Sequence, residues 1–169
     1  LEACLSLFQN DTTRSARTLS SLADLFHDQG DVAQAITQER RALALREQLP
    51  DPRDRAISHN NLANHLERRG APAALAEAPR HRLADLIYCL VADLGQSLQT
   101  SLHNYAIRFR SARDTSTELV EPRVAELLTD PAFHPLEQWL RQRQVNVAEL
   151  QAGVDQLLEQ VRQGALEQP

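Results

Sequence analysis

HNNLANHLERRG, the stretch from His59 to Gly70, is the motif from which the fold can be read. Its spacing occurs earlier as LSSLADLFHDQG (Leu19 to Gly30) and later, altered at its end, as LHNYAIRFRSAR (Leu102 to Arg113). Each copy reads as an apolar residue or His, two residues, a bulky apolar residue, Ala, two residues and a second bulky apolar residue. Forty residues separate Leu22 from Leu62, and forty-three separate Leu62 from Tyr105. Periods of this length mark stacked supersecondary units, none of which can bury its apolar face alone. Apolar positions at three, four and seven within each copy predict an amphipathic helix. The Ala implies close approach of another helix. The Gly that follows in the first two copies suits a left-handed turn after the helix.

These residues carry a resemblance to a known family. Leu19-x2-Leu22-Ala23-x2-Phe26 resembles the tetratricopeptide repeat signature, with Leu in place of its Trp and Ala in place of its Gly. Ala35 and Ala42 fall where that family keeps small residues on its second helix, and the long period resembles its kinesin-light-chain-like branch. The resemblance covers roughly residues 1–128. It implies an all-α fold: a right-handed solenoid of antiparallel helix pairs. Glu39 stands where the family has an aromatic, Pro79 interrupts the second copy, and Arg113 replaces the third Gly. A HEAT-like array of helical pairs has a similar period and is the alternative.

The expected organisation follows from the caps and prolines. Residues 1–11 read as the tail helix of a preceding repeat, with Leu1, Leu5 and Phe8 on an open apolar face. Repeats are expected over 12–52 and 53–95, a degenerate repeat over 96–130, and C-terminal capping helices over 131–169. Thr12 or Thr13, Asp31 and Asp54 are the expected N-caps. A long helix is expected from Pro79 to Leu94 with Gly95 as its stop, because proline breaks the hydrogen bonding of a helix interior. A helix is expected from Thr117 to Leu128. Val147, Leu150, Val154, Leu157 and Val161 make a narrow stripe that fits a helix closing the array, with a dimerising coiled coil as the alternative.

Composition bounds the function. The 169 residues fit one domain, with a formal net charge of −5 that argues against a nucleic-acid footprint. No run of eighteen apolar residues predicts a membrane span, and no signal peptide is visible, so a cytoplasmic location is expected. All 18 basic residues are Arg, which fits a GC-rich, bacterial genome, and the chain lacks Met and opens within a helical pattern, as a C-terminal fragment of a longer protein would. Cys4 and Cys89 sit in apolar helical contexts and read as reduced core thiols. Cys89 is a poor nucleophile candidate there. The six histidines lack metal-ligand spacing; His59 and His65, six apart, do not stack on one face. No Gly-rich phosphate loop occurs. No enzyme, metal or cofactor is expected.

The polar faces of the first helices are more informative. Asn61 precedes Leu62 and Asn104 precedes Tyr105. In the tetratricopeptide family an Asn at that position often faces the concave groove and holds a peptide backbone. The resemblance therefore implies a peptide-binding groove carrying Asn60, Asn61, Asn64, Arg68, His103, Asn104, Ile107 and Arg110. Amides both donate to and accept from a peptide group, and Arg can grip a carboxylate with two bonds. Ser21 and Asp24 occupy the matching positions of the first copy. The implied function is a protein-interaction scaffold for a protein or peptide segment. The alternative is an architectural end of a longer solenoid that supports other domains, or dimerises weakly through its C-terminal helix or its truncated N-terminal face.

Overall fold

A computed structural model describes the backbone over residues 2–167 and the side chains over residues 10–164. Cys4 and the expected apolar face at Leu1, Leu5 and Phe8 lie outside the described side chains. Among the described residues there are eight α-helices, one 3-10 turn and no strand. The fold is all-α, with helices in sequential antiparallel pairs, consistent with a tetratricopeptide-like solenoid and a capping helix. The chain divides into two compact units, Leu1–Tyr88 and Cys89–Pro169.

The first unit begins with α1 (Glu2–Asp28), a single helix that runs through the expected break near residue 11. No Gly or Pro lies between Leu1 and Gly30 to stop it. Asp11 instead pairs with Arg14 one turn on, at 3.2 Å, and Thr18 returns its hydroxyl to the Arg14 carbonyl. Gly30, at φ +83°, makes the expected left-handed stop. Asp31 then caps α2 (Val32–Arg46), its carboxylate accepting from the Gln34 amide at 3.1 Å. In α3 (Pro52–Arg69) the cap is Asp51, with Pro52 at the first helical position, and not Asp54. Gly70 closes α3 at φ +67°.

The small residues of the repeat are its closest-packed points. Ala23, Ala35, Ala42 and Ala63 are wholly buried, as the spacing required. Leu62 and Leu66 of α3 join Ile36 and Leu43 of α2 with Ala74 and Ala78 of the next helix in one apolar cluster. Leu22 departs from its counterpart: it is 39% exposed where Leu62 is 1% exposed. It shares an open face of α1 with exposed Leu25, while Ala23, one position on, is the residue turned inward.

α4 (Pro72–Val91) is continuous, with Pro79 inside it. The expected break does not occur. Proline deprives the carbonyl four residues back of its partner, and that residue, Leu75, lies on the exposed face, where the loss is cheapest.

In the second unit, Gly95 starts a helix; it does not stop one. Asp93 takes the left-handed turn at φ +52°, and Leu94 donates to the Cys89 carbonyl at 2.9 Å. α5 (Gly95–Thr115) runs past the position of the missing third Gly until Ser116 turns left-handed at φ +53°. The helix expected from Thr117 is largely absent, since Pro122 delays it to α6 (Val124–Thr129). A 3-10 turn (Pro131–Phe133), α7 (His134–Gln142) and α8 (Val147–Glu167) follow.

α8 packs on α5 and α6. Val154 and Leu158 are its buried residues; expected Leu157 is only half-buried. Gln151 accepts from the Val124 amide at 2.7 Å, and the Arg162 guanidinium lies 4.9 Å from the centre of the Phe109 ring. Leu136, Trp139 and Leu140 form the buried face of α7. Cys89 is a wholly buried thiol.

Candidate functional site: a polar seam and cleft in the first unit

Polar side chains thread the first unit from α1 to α4. Glu39 is wholly buried on α2 where the family resemblance would place an aromatic. Ser58 of α3 donates to it at 2.7 Å, and Arg46 donates to Ser58 at 2.5 Å and to Glu39 at 3.3 Å. Burial pushes the Glu39 carboxyl above its usual range, against hydrogen bonds from Ser58 and Ser20 and the charge of Arg46. The bonds from Ser58 and Arg46 both fall on Oε1, and the buried Oε2 makes no close hydrogen bond, so burial is only partly offset.

Two imidazole pairs join neighbouring helices. His27 of α1 and His65 of α3 meet Nδ1 to Nδ1 at 2.7 Å. Arg68 donates to His27 Nε2 at 2.8 Å, so that nitrogen is an acceptor and His27 carries its proton on Nδ1. His27 therefore donates to His65, whose own proton sits on Nε2. Burial lowers the pKa of His65, neighbouring His27 lowers it further, and Asp24 partly offsets both.

His59 of α3 and His81 of α4 meet in the same way at 2.8 Å, and His59 stacks on Tyr88. His81 Nε2 donates to Glu77, which Arg40 of α2 holds by two 2.8 Å bonds. The hydrogen bond from His81 pulls the Glu77 carboxyl down against burial, and Arg40 adds to the pull. Burial sets the His59 pKa well below the ordinary value, and the charges of His81 and Arg55 push it the same way.

An open cleft of about 460 Å³ lies between α1 and α3. Asp24, His27 and Asp28 line one wall, and Asn61, Asn64 and His65 line the other. Two of the eight sequence-expected residues, Asn61 and Asn64, are thus in it, facing Asp24 from the matching position of the first copy. Asn60 and Asn64 both accept from Arg82 of α4, at 2.7 and 2.5 Å, and Glu67 completes the hold on that guanidinium. Arg68 is exposed and turned to His27.

The other four lie on α5 in the second unit. His103 and Ile107 are exposed there, and Asn104 and Arg110 are half-buried.

Sequence reasoning missed His27, Asp28, His65 and Arg82. Spacing along one helix reveals only partners on that helix, whereas these pairs bridge neighbouring helices, 38 and 22 residues apart in sequence for the imidazoles. Among the described residues no group of three His, Cys, Asp or Glu side chains is placed to hold a metal ion. No family model, curated protein or solved structure matches the chain.

Proposed function

We propose that the chain is a protein-interaction module of the tetratricopeptide type, and that the cleft between α1 and α3 holds an extended segment of a partner protein. The observation that carries this reading is the lining of the cleft. Repeat-equivalent polar residues from two first helices, Asp24 and Asn64, face one space, with Asn61 and Asp28 beside them. Asn61, whose amide also reaches Glu39, offers its acceptor to a peptide group, and the two carboxylates accept backbone or cationic donors. A few such bonds, each worth about 1 kcal/mol net, give by themselves an affinity of roughly millimolar order, and further contacts along the segment must supply the rest. A partner of this kind fits a bacterial cytoplasmic scaffold that binds neither nucleic acid nor membrane.

The test is selection of a displayed random-peptide library on the whole chain. Enriched peptides should bind the native chain and lose about tenfold or more in affinity on Asp24→Asn or Asn61→Ala. An absence of enrichment, or binding untouched by either change, would refute the reading.

One observation favours the architectural alternative. Arg82 already occupies the oxygens of Asn60 and Asn64, and His27 occupies Arg68, so part of the expected groove chemistry is spent within the fold.

A further inference from the structure

We infer that the His27–His65 pair is an acid-sensitive latch between α1 and α3, so that mild acidification opens the first unit along this seam. The inference does not depend on the cleft's having a ligand.

At 2.7 Å, Nδ1 to Nδ1, the pair holds a single proton between two nitrogens. Protonating either ring to imidazolium occupies both of its nitrogens with hydrogen. If His65 gains the proton, its Nδ1–H points at the Nδ1–H of His27. If His27 gains it, the bond to His65 is kept, but its Nε2–H points at the Arg68 guanidinium, which now donates there at 2.8 Å. The first event sets two donors against each other within the pair, and the second costs the Arg68 bridge from α3 to α1.

The surrounding charges do not rescue the imidazolium form. From α1, Asp24 and Asp28 line the cleft and favour it; from α3, Arg68 opposes it. The charges of α2 at Glu39 and Arg46 are engaged with each other and Ser58. On α4, Arg82 is engaged with Asn60, Asn64 and Glu67. Burial dominates for His65, whose folded pKa lies below the ordinary 6.5. A histidine shifted that way takes up its proton more readily when opened. Its stabilising contribution is full above about pH 6.5 and is lost as pH falls.

This seam has the means to open locally. His27 is half-exposed and both rings line an open cleft. The His59–His81 pair has the same chemistry with both rings buried, whereas buried His65 pairs with half-exposed His27, so it serves as an internal comparison.

Residue-resolved amide hydrogen exchange on the whole chain, corrected for intrinsic rates between pH 7.5 and 5, tests the latch. The opening constant for the end of α1, Ser20–Asp28, should rise about tenfold per pH unit for each proton taken up below 6.5. His27→Asn combined with His65→Asn keeps neutral hydrogen-bonding groups and should remove that dependence, whereas His59→Asn should leave it in place. A flat native profile, or an unchanged slope in the double variant, would overturn the inference. Should the double variant not fold, imidazole carbon–proton spectra of the native chain decide. His65 titrating below the free value together with rising α1 exchange supports the latch, and titration with no change in exchange refutes it.

Discussion

The two units solve the same packing problem with different chemistry. The first closes its helix seams with a polar layer: Glu39, Arg46 and Ser58 between α2 and α3, and imidazole pairs from α1 to α3 and from α3 to α4. The second closes with apolar side chains, Tyr105 and Phe109 of α5, Trp139 of α7, and Val154 and Leu158 of α8. Apolar packing carries no titrating group and so tolerates changes of pH. A buried polar layer demands that every partner be present, and so ties stability to register and protonation. The first unit is therefore the one whose seams can respond to conditions, and it also carries the cleft.

The largest expected effect breaks the polar layer. Glu39→Ala leaves the Arg46 charge buried without its carboxylate and should cost about 3–5 kcal/mol in urea denaturation. A cost under about 1 kcal/mol would show that the layer is incidental. Next comes the apolar closure of the second unit. Leu158→Ala should cost about 2–5 kcal/mol, against under about 1 kcal/mol for half-buried Leu157→Ala. Equal costs would place the α8 face wrongly.

Acidification should separate the units. Between pH 7 and 5, exchange protection in α1 and α3 should fall, by about 1.4 kcal/mol per pH unit for each proton taken up, because burial lowers the pKa of His59 and His65, while protection in α7 and α8 should not follow it. Parallel loss in both units would remove the contrast. The smallest effect is at Ser116, where φ is +53°; Ser116→Gly relieves that conformation and should raise stability by about 1 kcal/mol in thermal unfolding. A loss there would mean that the strain is absent.

The apolar skeleton was legible in the sequence because helical periodicity records burial on one face. Leu62, Ala63 and Leu66 recur at that period and are buried, and Gly30 and Gly70 stop their helices as read. Caps and breaks were less legible where context decides: Pro79 sits in a helix because its unpaired carbonyl is on the exposed side, and Asp93 took the turn assigned to Gly95. Leu22 matched the motif yet lies on an open face, since periodicity cannot say whether a neighbour covers it. The site was legible only in part. Asn61 and Asn64 reached the cleft, but the imidazole pairs could not be read at all, because they are formed between helices and obey no spacing along one.

The central claim is that the cleft of the first unit is where a partner binds. Amide chemical-shift mapping of the whole chain, titrated with a peptide selected on it, tests this most directly. The expected result is saturable shifts centred on Asp24, Asp28, Asn61, Asn64 and His65, with those of α7 and α8 unmoved. Shifts confined to the second unit, or to the exposed apolar face at Leu22 and Leu25, would contradict it.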